Sequence, residues 1–215
     1  GISSRVPRAS STQRRRRSAD VGDDVADIDY VAAVLGCSRA VALKLTARDA
    51  KLYQRFPRVK PNGGVRMISA PVGELKAAQW HLSQWLGSYA PASDSAHGFV
   101  AGRSTVTNAR PHVGQRIVIN LDLADFFPSI TFPRVRGLFA SLGYSPAIAT
   151  LLAMLTTEAP RVEVEFAGRT HYVATGPRAL PQGACTSPTL ANLVARKLDR
   201  RLGGATRKLG WTYTR

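Results

Sequence analysis

The sequence predicts an α+β fold in which a small antiparallel sheet is backed by helices. Three observations support this class. Apolar residues recur at helical spacing in several segments, other segments alternate apolar and polar residues as strands do, and Gly- and Pro-rich turns separate the two kinds. The 215 residues suffice for one large or two small domains with a substantial core.

Two segments have the pattern of a β-hairpin. Residues 60–70 contain a Pro-Asn-Gly-Gly turn followed by alternating apolar residues. Residues 161–174 alternate and carry Ala167-Gly168 near their centre. We therefore expect two hairpins.

Apolar stripes predict the helices. Ser187 is a favourable N-cap with Pro188 at the first helical position, and Gly203 and Gly204 are expected to end that last helix. The expected buried stripes are Leu75, Ala78, Leu82 and Trp85 in one helix, and Val135, Leu138, Phe139 and Leu142 in another. The predicted helical segments are 30–35, 38–50, 74–86, 133–142, 146–156 and the one that begins at Ser187.

The sequence RIVINLDLADFFPSI, residues 116–130, predicts a strand that delivers the Asp122 carboxylate to its end. Side chains alternate across a strand, so Asp122 falls on the face opposite the apolar one. The residues expected on the core face are Ile117, Ile119, Leu121 and Leu123. A carboxylate on rigid β-structure suits Mg²⁺, which takes hard oxygen ligands in strict geometry.

The formal charge of +16 indicates an anionic partner, most simply nucleic acid or a membrane surface. No apolar run is long enough to span a bilayer, and we expect no membrane partner. Cys37 and Cys185 have neither disulfide nor metal-ligand spacing, which favours a reducing cytoplasm.

Both ends of the chain are unusual. Residues 1–18 hold six arginines and no acid, and an acidic patch follows them, so residues 1–26 are expected to form a disordered arm. The chain begins with Gly1 and stops at Arg215 within an apparent new strand. We expect it to be a fragment.

Four segments resemble reverse transcriptases in their order and spacing. They are KPNGGVRMISAP (60–71), HGFVAGRSTVTNARPH (97–112), VINLDLADFFPSI (118–130) and LPQGACTSPTLAN (180–192). Asn108, Ala109 and His112 match the Asn-Ala-x-x-His signature of the bacterial retron branch. The resemblance implies a polymerase right-hand fold, with N-terminal helices and fingers in residues 27–115, a partial palm in 116–215, and no thumb.

The resemblance assigns the metal chemistry to the end of the predicted strand. Asp122 matches the first metal-binding aspartate of the family, and the backbone carbonyl of Leu123 would complete that ligation. Two Mg²⁺ ions would then support in-line phosphoryl transfer. The family's second acidic turn, Tyr-Ala-Asp-Asp, would follow Arg215, so this chain alone is expected to be inactive.

The residues Asp125, Phe126 and Phe127, which follow Asp122 in the sequence, are expected near the nucleotide. Phe127 matches the aromatic floor of the sugar pocket, which leaves no room for a 2′-hydroxyl and favours deoxynucleotides. Phe126 is more simply explained by core packing. Asp125 fits either a local turn acceptor or a position whose backbone contacts phosphate.

Two further motifs match nucleotide-binding elements of the family. Gln182 would hold the incoming nucleotide near its sugar, and Gly183 would let the backbone approach the template–nucleotide pair. Arg66 would bind the triphosphate. Lys60 fits either the same role or an exposed, solvated position.

The template strand is expected near Gly98 and Phe99. Bases could stack on an exposed Phe99, although core packing of this ring is the simpler expectation. Asn108 and His112 fit either hydrogen bonds that hold a loop or contact with RNA.

The predicted activity is RNA-directed DNA synthesis of the retron type. The resemblance implies a structured RNA that serves as template and primer, dNTPs, a DNA product, a possible effector protein and a role in phage defence. Two alternatives stay open: a group II intron-type enzyme, and a non-catalytic nucleic-acid-binding module.

Overall fold

The computed structural model describes residues 23–47 and 52–215. Within them, eight α-helices and four strands form an α+β fold with two antiparallel two-stranded sheets, as predicted. The helices are α1 Asp23–Leu35, α2 Arg39–Thr46, α3 Gly73–Tyr89, α4 Thr105–Ala109, α5 Phe126–Ser129, α6 Phe132–Ser141, α7 Pro146–Thr156 and α8 Ser187–Lys208. The strands are β1 Tyr53–Val59, β2 Val65–Pro71, β3 Arg161–Phe166 and β4 Arg169–Ala174, and a 3₁₀ turn covers Arg110–His112.

Both predicted hairpins are confirmed. In the first, the Lys60 N–H donates to the Gly64 carbonyl at 2.7 Å, and the turn closes the β1–β2 ladder between Val59 and Val65. In the second, Ala167 and Gly168 take positive φ values of 51° and 69°, which a tight hairpin turn requires. The turn chemistry therefore predicted both reversals of the chain.

The core is built from helices. Side chains of α1, α3, α6, α7 and the first half of α8 form one apolar cluster. Leu75, Ala78 and Leu82 are buried, as are Val135 and Phe139, which confirms the two predicted stripes. The partly buried members of those stripes are Trp85, Leu138 and Leu142.

The predicted core face of residues 117–123 is wrong. This segment forms neither a helix nor a strand, and it pairs with no strand of the described residues. Ile117, Ile119 and Leu121 are 66%, 60% and 84% exposed, and Leu123 is 48% exposed. A strand buries a face only when a sheet supports it, and both described sheets are self-contained hairpins. The chain reaches the core after this segment, first with the half-buried Phe126 and Phe127 and then with Ile130, which is fully buried.

The predicted end of the last helix is also wrong. Helix α8 continues through Gly203 and Gly204 to Lys208. Gly203 lies against Ser95 and Tyr213, so tertiary packing outweighs the low helix propensity of glycine. At its start Thr186 is the N-cap, while the Ser187 hydroxyl donates to the Pro181 carbonyl at 2.7 Å.

Some predictions concern other parts of the chain. Residues 1–22 of the arm predicted over 1–26, and the end of the helix predicted over 38–50, lie outside the described residues. Residues 23–26 of that arm are not disordered as predicted, because they form the start of α1. In the described part of the chain, no helix combines the length and the apolar character needed to cross a membrane.

Leu152 and Leu121 provide a test of where the core lies. Leu152 is fully buried and Leu121 is 84% exposed. We expect Leu152→Ala to lower the free energy of unfolding by about 2–5 kcal/mol, and Leu121→Ala to change it by less than about 0.5 kcal/mol. Urea denaturation followed by circular dichroism measures both, and a comparable loss at Leu121 would show that the segment 117–123 is packed.

Candidate active-site cleft

Four residues predicted to bind nucleotide line one open cleft of about 420 Å³. They are Lys60, Arg66, Asp125 and Gln182. The cleft lies between the β1–β2 hairpin on one side and residues 158–161 and 177–182 on the other. The structure thus brings together side chains that are up to 122 positions apart in the sequence (182 minus 60).

The loop that contains Gln182 is docked directly on β2. The Ser69 N–H donates to the Gln182 carbonyl at 2.8 Å. Gly183 has a φ of +115°, and a Cβ there would lie 2.7 Å from Ile68 Cγ2 and 3.2 Å from the Ser69 carbonyl oxygen. The close approach that requires glycine in the described structure is therefore to β2. Its predicted approach to a template–nucleotide pair stays a prediction.

Gln182 leaves an acceptor unsatisfied in the cleft. Its Oε1 atom is buried and has no hydrogen-bond donor among the described residues. Such an atom costs free energy unless a ligand or water supplies a donor. The side chain is therefore suited to accept a hydrogen bond from a bound molecule.

The cleft carries uncompensated positive charge. Four cations and two acids, Asp125 and Glu158, line it, and Glu158 pairs with Arg55 and lies 3.9 Å from the Arg161 guanidinium. Lys60 and Arg66 are exposed and form no ion pair with a described residue. These two cations are free to bind an anion such as a triphosphate.

Asp125 turns the chain from the exposed segment into the core. It takes a left-handed conformation, with φ 48° and ψ 40°, and its side chain makes no capping bond to α5. Phe126 and Phe127 follow it, half-buried against the core cluster with ring centroids 6.2 Å apart. The core packing predicted for Phe126 is confirmed, and Phe127 shares it.

The metal ligands predicted by the resemblance form an incomplete set. Asp122 and Leu123 are both exposed in the unpaired segment. Asp122 offers the hard oxygen that Mg²⁺ prefers. However, the described residues contain no group of three or more His, Cys, Asp or Glu side chains that could hold a metal ion. In the described residues, Asp122 and the Leu123 carbonyl therefore form only part of a metal site.

The core packing expected for Phe99 is wrong. The ring is 76% exposed, and the residue has a φ of 58°. The Asn192 side-chain amide donates to the Gly98 carbonyl at 2.9 Å and fixes the backbone beside it. The loop therefore presents an aromatic ring to solvent.

Sequence reasoning missed a buried network that supports this loop. The Asp199 side chain is fully buried and binds the Arg215 guanidinium through both carboxylate oxygens, each at 2.9 Å. Arg215 also donates to the Asn192 side-chain oxygen at 2.9 Å. The Tyr213 hydroxyl donates to Asp199 at 3.0 Å, and burial together with this bond raises the Tyr213 pKa to about 12. The sequence signal for this network was that Asp199 is the single acidic residue in the otherwise basic helix α8.

Asn108 and His112 contact the same C-terminal segment. His112 Nε2 lies 2.7 Å from the Thr214 hydroxyl, which donates to the Asn108 carbonyl at 3.3 Å. These contacts support the loop-holding alternative. The Asn108 side-chain oxygen is buried without a partner among the described residues, so its contact with RNA stays a prediction.

The family assignment follows from a direct match. The family model for reverse transcriptase (RNA-dependent DNA polymerase) matches residues 59–213, which include the cleft, the Asp122 segment and the loop that carries Gln182. The chain belongs to the reverse transcriptase family. This confirms the resemblance on which the site residues were predicted.

Curated relatives of the chain are retron reverse transcriptases. It is 49% identical over 189 residues to the Retron Mx65 reverse transcriptase and 52% identical over 164 residues to the Retron Mx162 reverse transcriptase, both from Myxococcus xanthus. It is 38% identical over 177 residues to the Retron Ec86 reverse transcriptase of Escherichia coli. These matches cover 86%, 76% and 80% of the chain but only 44%, 34% and 49% of the relatives. The chain thus spans less than half the length of these relatives.

Gly183 and Gly204 provide a matched test of the docked loop. We expect Gly183→Ala to lower the free energy of unfolding by about 1–3 kcal/mol, because it combines a strained φ with a clash against β2. A Cβ at Gly204, inside α8, would meet nothing within 4 Å. Gly204→Ala should therefore stabilise the chain by about 0.5–1 kcal/mol. Equal effects in urea denaturation would contradict the docking.

Proposed function

We propose that the protein is an RNA-directed DNA polymerase of the retron type, which adds dNTPs to a primer on an RNA template. The observation that carries the proposal is the convergence of Lys60, Arg66 and Gln182 on one cleft, within a chain of the reverse transcriptase family. The finer architecture belongs to this proposal: residues 27–115 as fingers with preceding helices, and residues 116–215 as part of a palm.

The proposal gives a role to the cleft residues Lys60, Arg66, Asp125 and Gln182, and to two residues outside the cleft lining, Arg58 and Phe127. Arg66 and Lys60 bind the triphosphate, and Arg58, directly opposite Arg66 in the ladder, adds to the positive potential. The orphan oxygen of Gln182 accepts a hydrogen bond near the sugar. Phe127 closes the sugar pocket against a 2′-hydroxyl. Asp125 contributes its backbone near the phosphates.

Asp122 and the Leu123 carbonyl would hold Mg²⁺. When bound, the metal would neutralise charge that develops during phosphoryl transfer. For Asp122 to face the cleft rigidly, the segment 117–123 must gain a strand partner, because its apolar side chains are exposed in the described residues. We therefore propose that the metal site is complete only when this segment pairs with another strand.

The template is proposed to pass over Gly98 and Phe99. An exposed ring on a hydrogen-bonded loop suits stacking against an unpaired base, which needs an aromatic surface and no particular sequence. Asn192, Arg215 and Asp199 hold that loop in place. Structured RNA as template and primer, a DNA product and an effector protein complete the proposal.

The decisive experiment is primer extension on an RNA template with dNTPs and Mg²⁺, using the complete gene product that contains this chain. Extension supports the polymerase. Salt-dependent RNA binding without extension would favour the non-catalytic binding module instead.

Asp122→Asn tests the metal ligand. The change keeps the side-chain size and removes the charge, so we expect extension to fall by about 10³-fold or more through lost charge stabilisation. Asp94→Asn, which alters an exposed carboxylate beside Arg103, is the control and should extend normally. Wild-type extension by Asp122→Asn would exclude Asp122 from the site.

Phe99 tests the template path. We expect Phe99→Ala to weaken binding of single-stranded RNA template by about 1–3 kcal/mol, while Phe99→Trp retains binding, because stacking requires a ring. Phe166→Ala removes a similarly exposed ring, 72% exposed, from the β3–β4 hairpin and should have no effect. Template titrations by fluorescence anisotropy measure all three. Unchanged binding in Phe99→Ala would place the template elsewhere.

A further inference from the structure

The second half of α8 carries a continuous cationic face. At 100° per residue, six basic residues and Gly204 fill an arc of about 140° that contains no other residue type. All six basic residues are exposed: Arg196, Lys197, Arg200, Arg201, Arg207 and Lys208. The acid of this half, Asp199, lies outside the arc and is buried against Arg215. None of the residues in the arc lines the cleft.

No carboxylate of the described residues compensates this charge. The six cations form no ion pair there, whereas Arg39 and Lys44 on α2 each have an acidic partner, Asp29 and Glu74. Like charges at i and i+4, such as Arg196 with Arg200, repel and weaken a helix. The helix dipole favours only the cations of the last turn. An external anion would relieve this repulsion.

Gly204 lies in the middle of the arc. It is four residues from both Arg200 and Lys208, and a Cβ there would meet nothing within 4 Å. No contact within the described chain therefore requires glycine at this position, although glycine weakens a helix interior. The missing side chain leaves the helix backbone open to close approach between two rows of cations.

We propose that this face of α8, from Arg196 to Lys208, binds the phosphate backbone of a nucleic-acid duplex, at a surface separate from the cleft. The presence of nucleic acid at this protein rests on the proposed function. The face is about 18 Å long, and a duplex carries one negative charge per about 1.7 Å of axis, so several phosphates lie within reach of it. Guanidinium groups suit phosphate oxygens.

A phospholipid surface is a poorer match for this face. Binding in a membrane interface requires a broad apolar face opposite the cations. At 100° per residue the side opposite the arc carries Leu202, with Leu198 and Asp199 on either side of it. Asp199 holds this side against the C-terminal segment through Tyr213 and Arg215. The two leucines, Leu198 and Leu202, at 36% and 39% exposed, are half-covered and form no broad apolar face.

The salt dependence of duplex binding tests the proposal. In the complete gene product, Arg196→Gln with Arg200→Gln should weaken binding and reduce the slope of log K against log salt by about two, one for each lost phosphate contact. The probes are an RNA duplex and an RNA–DNA hybrid without single-stranded ends. A reduced slope with either duplex supports the proposal, and unchanged slopes with both overturn it.

The matched control removes the same charge from acid-paired positions. Arg39→Gln with Lys44→Gln should leave the slope unchanged, and an equal reduction there would overturn the proposal by showing a general charge effect. Gly204→Glu should weaken duplex binding without lowering the melting temperature, because the new carboxylate lies at i+4 from Arg200 and i−4 from Lys208. The proposal would also be overturned if the variant with Arg196→Gln and Arg200→Gln lost binding to vesicles of phosphatidylserine and phosphatidylcholine but kept its binding to duplexes.

The two proposals fail separately. If the complete gene product extends primers but the variant with Arg196→Gln and Arg200→Gln keeps the wild-type salt slope, the polymerase proposal holds and the duplex-binding proposal fails. If primer extension is absent but the salt slope falls in that variant, the duplex-binding proposal holds and the polymerase proposal fails. Asp122→Asn should keep the wild-type slope in either case.

Discussion

The hydrogen bond from the Ser69 N–H to the Gln182 carbonyl is the contact on which the cleft depends. It fixes the β1–β2 hairpin against the loop that precedes α8. Gly183 makes this possible, since any side chain at that position would collide with Ile68. The two free cations and the orphan amide oxygen therefore hold a defined relative position even though the hairpin strands are largely exposed.

The ion pair of Asp199 with Arg215 fixes the other end of α8. Buried pairs contribute little net stability, but the loss of one partner leaves a charge in an apolar setting at high cost. Such a pair therefore specifies one arrangement of its surroundings. Here it aligns the C-terminal segment, the side chain of Asn192 and the loop that presents Phe99.

Local patterns predicted most of the helices and both hairpins, because apolar spacing and turn residues act over a few positions. The same patterns failed where distant contacts decide. Residues 117–123 have the alternation of a strand but no neighbour to pair with in the described chain, Gly203 is held in a helix by Tyr213 and Ser95, and Phe99 is exposed because Asn192 fixes its loop.

The residues of the candidate site fall into the same two groups: those predicted from local patterns and those whose roles depend on distant contacts. Motif spacing identified Lys60, Arg66 and Gln182, since each lies in a short characteristic segment. It could not reveal that Gly183 serves β2, nor that Asp199 and Arg215 form a bidentate pair, because those roles follow from packing between elements far apart in the sequence.

The unpaired segment 117–123 divides the candidate site into a part that the described core holds in place and a part that it does not. The helical core and the side of the cleft that carries Lys60, Arg66 and Gln182 are in place without it. Asp122, in contrast, lies on backbone that pairs with no strand of the described residues. Under the proposed function, the Asp122 carboxylate is thus the part of the site that the described core does not hold in place.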